Sequence, residues 1–141
     1  MRFEFDIEPV EQARPRATRM RKGIRLYDPK KVNVFKKQLG MLAKQQMLDR
    51  GLAPYDGPLE VRMELYRPVQ TSISKKERAR RLSGAHRPTV KPDLDNYIKS
   101  TLDALNGIIW ADDNYIVSLA AEKYYAEDPH LIVEVKRPTC S

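Results

Sequence analysis

Apolar and polar residues alternate at two places in the chain. Near the start, Phe3, Phe5 and Ile7 interleave with Glu4, Asp6 and Glu8. Further on, Leu59, Val61, Met63 and Leu65 interleave with Glu60, Arg62 and Glu64. A period of two sends successive side chains to opposite faces, so both stretches predict half-buried strands, closed by Pro9 and Pro68. Gly23 precedes a strand-like run at 24–27, and the first two strands are expected to form a hairpin around residues 21–23. Val32, Phe35, Leu39, Leu42 and Met47 follow helical spacing and predict a helix over about 29–50. Asp28 suits its N-cap, Pro29 its first turn, and Gly51 its end. A second helix is predicted at about 95–106. Leu94, Ile98, Thr101, Leu102 and Leu105 project to one side of it, and Asp95, Asn96, Lys99, Asp103 and Asn106 to the other. Residues 115–125 and 131–135 read as closing strands, with a turn at 127–129. The stretch 70–91 is polar and basic. It is read either as a short helix capped by Ser74 or as a mobile insertion that orders on ligand binding. The order β, β, α, β, α, β, β predicts one α+β domain over 1–141, a small mixed sheet with two main helices.

Composition sharpens this picture at two points. The 141 residues are enough for one buried core, and the single cysteine, Cys140, excludes an intrachain disulfide framework and a cysteine-based zinc site. No apolar run approaches the roughly 20 residues that span a bilayer, and the acidic–apolar start is unlike a signal peptide. A cytoplasmic protein with no membrane partner is expected. The formal net charge of +7 is unevenly spread. Residues 10–50 sum to +9 and 62–91 to +7, whereas 92–141 sum to −5. Basic stretches of this density favour phosphate partners, nucleic acid above all.

The chemistry concentrates in Lys91-Pro92-Asp93-Leu94-Asp95-Asn96 with Lys99, followed by Asp112-Asp113. If the backbone stays extended through 93–95, both carboxylates share one face. Asp95 can also cap the helix that follows, with Lys99 one turn on. The turn at Asn106-Gly107 sends the chain back, which would bring Asp112 and Asp113 near the helix start. Converging carboxylates repel unless a cation compensates them, and hard divalent ions take oxygen ligands. Such a site suits phosphodiester hydrolysis. Simple capping accounts for the same aspartates equally well on composition alone. An EF-hand is excluded, because Tyr97 and Ile98 stand where that loop needs a ligand and glycine. His86 and His130 are too few for a histidine metal site.

The run 91–96, Lys99, Asp103-Ala104-Leu105-Asn106-Gly107 and Trp110-Ala111-Asp112-Asp113 resembles the RusA-type Holliday junction resolvases, in their longer phage and prophage form. Arg14-Pro15-Arg16 and Tyr27-Asp28-Pro29 match that layout more weakly. The resemblance implies a homodimeric, Mg²⁺-dependent endodeoxyribonuclease, with Mn²⁺ as a substitute and no small-molecule cofactor. It would resolve four-way junctions by paired symmetric nicks in recombination and repair. It implies Asp93, Asp95 and Asp113 as metal-binding catalytic acids, Asp112 as an adjacent residue that could substitute or assist as a ligand, and Lys99 as the essential basic catalytic residue beside them. Branched DNA would be held by Arg14, Arg16, Arg19, Arg21, Lys30, Lys31, Lys36, Lys37, Lys75, Lys76 and Lys91. The competing expectation is a basic nucleic-acid-binding protein without catalysis.

Overall fold

In a computed structural model, the structure describes residues 1–13, 16–20, 23–27 and 29–139, with side chains at 16–20 and 24–27 left aside. The strands are β1 (Arg2–Phe5), β2 (Arg16–Met20), β3 (Gly23–Tyr27), β4 (Leu59–Pro68), β5 (Ile116–Ala126) and β6 (His130–Lys136). The helices are α1 (Lys30–Asp49), α2 (Lys75–Leu82) and α3 (Leu94–Leu105). Four strands form a mixed sheet in the order β1-β6-β4-β5, and β2 and β3 form a separate antiparallel pair. The α+β class and the two main helices, α1 and α3, agree with the sequence pattern. The short α2 adds a third.

The alternating residues of β4 set the core. Leu59, Val61, Met63 and Leu65 are all buried, and they join Phe3 and Phe5 of β1 with Leu131, Val133 and Val135 of β6. Phe35, Leu39, Ala43 and Met47 of α1, then Ala104 and Leu105 of α3, pack against that face. Burial of such side chains gives about 1.5–3 kcal/mol each, so this one face supplies most of the driving force for folding. Gly40 is buried where α1 meets α3. A Cβ there would come within 3.3 Å of Ile108 Cδ1 and 3.4 Å of the Ala104 carbonyl oxygen.

The structure adds to or alters the local expectations at four places. The hairpin around 21–23 is made by β2 and β3, whereas β1 pairs with β6, 130 residues away in sequence at Phe3↔Val133. Asp28 lies outside the described residues, and Pro29 occupies the N-cap position. The basic stretch takes the helical form: Ser74 Oγ accepts the Glu77 backbone N–H at 3.2 Å, closing the first turn of α2. The closing strands are joined by a short turn but are not neighbours, because β4 lies between them, parallel to β5 and antiparallel to β6. Among the described residues no helix is long and apolar enough to cross a membrane.

Overpacking the α1–α3 crossing tests this arrangement. Gly40→Leu is expected to lower unfolding free energy by about 1–3 kcal/mol in urea titrations, since both contacts at that Cβ are already tight. An unchanged midpoint would mean the helices are not in the contact described.

Candidate active site

The helix α3 carries the polar stripe that the sequence projects. Asp95, Lys99, Asp103 and Asn106 are exposed, whereas Tyr97, Ser100, Thr101, Ala104 and Leu105 are buried. The buried side is rotated from the predicted one, so that Leu94, Ile98 and Leu102 sit at its margin, partly buried. Two hydrogen bonds, one of them from a side chain, hold the first half of α3 to the N-terminal segment. The Gln12 N–H donates to the Asn96 carbonyl at 2.9 Å, and Ser100 Oγ donates to the Val10 carbonyl at 2.5 Å.

Asp93 stands in the N-cap position with φ −66° and ψ 144°, but its side chain makes no capping hydrogen bond. The helix already begins at Leu94, so Asp95 lies inside its first turn. The two carboxylates share that turn and do not lie along an extended strand. Neither Asp93 nor Asp95 has a hydrogen bond or ion pair among the described residues, and Asp95 and Lys99 form no ion pair there. Both acids are exposed at the positive end of the helix, which favours anions. Neither side chain caps the helix by a hydrogen bond, and among the described residues the helix dipole is the one structural interaction that favours both acids there.

Asp112 and Asp113 lie elsewhere. Gly107, at φ +78°, turns the chain, and Ile109 and Trp110 then plunge into the core with no exposed surface. The Trp110 Nε1–H donates to Asp113 Oδ1 at 2.6 Å, and Asn106 Oδ1 accepts the Asp113 backbone N–H at 3.0 Å. Asp112 accepts the Asn114 N–H at 2.9 Å and caps a short 3₁₀ turn. Asp113 is thus fastened to the C-terminal end of α3, not to its start as the sequence reading expects. Twelve helical residues span about 18 Å, far beyond what two carboxylates can bridge through one ion. Among the described residues no group of three or more His, Cys, Asp or Glu side chains could hold a metal. The acids form two pairs, one at each end of a single helix.

Burial pushes the Asp113 carboxyl above the usual carboxylate range, Asp103 and Asp112 push the same way, and the Trp110 hydrogen bond opposes them. Asp103 is itself paired with Lys36 at 3.1 Å, a contact between α1 and α3. Trp110 stands in the run that carries the resemblance, and the structure adds its role as the donor that fixes Asp113. As the one tryptophan of the chain, and in a turn, it carries a signal.

The predicted DNA contacts are scattered over several elements. Lys30, Lys31 and Lys37 are exposed on α1, Lys75 and Lys76 on the first turn of α2, and Lys91 just before Pro92. Lys36 is half-buried against Asp103. Arg16 and Arg19 belong to β2, and Arg14 and Arg21 lie outside the described residues, as does Cys140.

A family model described as "Endodeoxyribonuclease RusA" matches residues 6–136, nearly the whole chain. The chain belongs to the RusA family. It is accordingly an endodeoxyribonuclease, a hydrolase of DNA phosphodiester bonds. One relative, the uncharacterized protein YqaN of Bacillus subtilis (strain 168), is 37% identical over 138 residues, covering 96% of this chain and 95% of that protein. This family membership supports the resemblance read from residues 91–113.

The raised Asp113 carboxyl has a consequence for stability. Its ionised form is disfavoured in the folded chain, so stability falls as pH rises through the carboxylate range. Asp113→Asn removes that charge and keeps the oxygen that accepts from Trp110. The variant is expected to melt above the wild type at pH 7, with the difference shrinking as pH is lowered toward about 4. A lower melting temperature at pH 7 would contradict the assigned environment.

Proposed function

We propose that this chain is a Mg²⁺-dependent endonuclease that resolves four-way DNA junctions, acting as a homodimer whose sites are shared between two copies. The observation that carries this reading is the separation of two acid pairs by one rigid helix, the pair at its start free of hydrogen bonds and ion pairs among the described residues. Asp93 and Asp95 fit a divalent ion, because Mg²⁺ is held by one or two carboxylates with waters and phosphate. A bound ion would activate water and stabilise the leaving oxygen. Lys99, one turn above Asp95, is placed to offset negative charge developing on the phosphoryl group. Asp112 and Asp113 of the second copy would complete the site. Mn²⁺ would fill the same oxygen-ligand role.

The edge of β5 supports a two-fold arrangement. Residues 116–121 carry no charge, Val117 is 63% exposed and Leu119 39%, and β5 is the outermost strand of the sheet. Proteins usually guard such an edge with charge, proline or a covering element. The opposite edge, β1, is four residues long and bears Arg2 and Glu4. Antiparallel pairing of β5 with its copy would set the start of one β5, next to Asp113, toward the far end of the other. That far end lies under Pro92, where Lys123 reaches the Pro92 carbonyl at 3.1 Å. A two-fold enzyme also matches the two equivalent strands of a junction. The lysines of α1 and α2, with Lys91, would hold phosphates, so binding would weaken steeply with salt.

Synthetic junctions test the chemistry. Asp95→Asn is expected to bind a four-way junction at least as well as wild type and to lose nicking by about a hundredfold or more in Mg²⁺. Lys99→Ala should lower cleavage far more than binding. Unchanged nicking by Asp95→Asn would overturn the metal assignment. Equal cleavage of linear duplex at the same salt would overturn the junction assignment.

A further inference from the structure

Three successive carbonyl groups lead into Asp93, and two cations from the sheet take all three. Arg67 Nη1 donates to the Lys91 carbonyl at 2.8 Å. Lys123 Nζ donates to the Val90 carbonyl at 3.3 Å and to the Pro92 carbonyl at 3.1 Å. The two residues come from adjacent strands. Leu65 of β4 faces the core, and its register partner Lys123 shares that face. Arg67 is two residues further along β4, paired with the buried Tyr125, and its guanidinium lies 5.8 Å from that ring centre. Where the apolar core ends, the same sheet face continues as cations beneath the acid turn. Arg87 adds a brace, its Nε donating to the Lys123 carbonyl at 3.1 Å.

Chemistry makes this arrangement specific. An arginine and a lysine beside two aspartates would ordinarily pair with carboxylate, the stronger acceptor. Here neither is within ion-pairing distance of Asp93 or Asp95, and both are committed to main-chain oxygens. The cations therefore fix the backbone of the turn and leave its carboxylates open to a ligand. We infer that Arg67 and Lys123 are positioning residues that hold the 90–93 turn, so that Asp93 and Asp95 meet a divalent ion in a fixed geometry. This rests on the reading of Asp93 and Asp95 as metal ligands. Groups that orient metal ligands from behind typically contribute about 10–100-fold in metal affinity or activity.

Lys123→Met keeps the aliphatic stem and removes the donors, whereas Lys123→Arg keeps donors and charge. The full chain is titrated with Mn²⁺ alone, following free Mn²⁺ by electron paramagnetic resonance, and amide hydrogen exchange is read across residues 88–96. Junction cleavage is then measured against Mg²⁺ concentration. Lys123→Met is expected to weaken Mn²⁺ binding about tenfold or more and to raise the Mg²⁺ needed for half-maximal cleavage in step. Its faster exchange should be confined to 88–96, with metal-free junction binding unchanged, and Lys123→Arg should restore most of the affinity. Wild-type Mn²⁺ affinity and wild-type exchange in Lys123→Met would overturn the inference. So would equal damage in Lys123→Arg. If Lys123→Met does not fold, Arg67→Met probes the same turn from β4 with the same expected pattern. Failure of the metal reading itself looks different: wild type and Asp95→Asn would then bind Mn²⁺ alike. Hydrogen exchange would still decide whether the two cations order the turn.

Discussion

A helix cannot shorten without breaking its hydrogen bonds, and the length of α3 governs everything proposed for this protein. Its twelve residues hold Asp93 and Asp95 at one end and, through Asn106 and Trp110, Asp113 at the other. Both ends are secured by independent packing. The start is tied to the N-terminal segment and to cations from β4 and β5, and the end is anchored by a tryptophan with no exposed surface. Neither pair can drift toward the other within a chain. If the four acids act together, a second copy has to supply half of them.

The charge distribution takes on a division of labour in this frame. The basic elements, α1 and α2, are solvent-facing and can meet phosphates over a wide surface. The acids are few and placed at helix ends. Several of the basic side chains that look available in the sequence are committed elsewhere: Arg78 to Glu127 at 3.2 Å, Arg81 to Glu77 at 3.0 Å, and Arg87 to Glu122 at 3.3 Å. These exposed pairs add little stability individually. The Arg78–Glu127 pair and the Arg81 contact to the Tyr125 ring seat α2 against the far end of β5. The insertion is thereby part of the body of the domain, next to the turn that carries Asp93.

Local periodicity explains what could be read from the sequence. β4 carries an apolar pattern strong enough to fix both type and face, α1 and α3 carry patterns that fix their type while the buried side of α3 is rotated from the projected stripe, and the Asn106-Gly107 turn follows from glycine's tolerance of positive φ. β2 escaped because Arg16–Met20 has no apolar alternation, and its strand character comes from pairing with β3. The pairing of β1 with β6, and the placement of β4 between β5 and β6, are long-range choices that no window of sequence encodes. The same limit applies to the site. The acids were recognisable by type and spacing. The direction in which Ile109 and Trp110 carry the chain depends on the core they enter, and that direction separates Asp113 from Asp95. Arg67 and Lys123 look like ordinary strand cations until the carbonyls above them are placed.

Mixing two inactive variants tests the shared site most directly. Asp95→Asn and Asp113→Asn damage opposite ends of α3, so each homodimer would lack both composite sites. In a mixed dimer both substitutions fall in one composite site and the other is fully wild type. Equilibrated mixtures should therefore nick one strand of a four-way junction in Mg²⁺, with activity rising and falling as the mixing ratio passes through equality. Mixtures that form heterodimers yet remain as inactive as the separate variants would contradict the account.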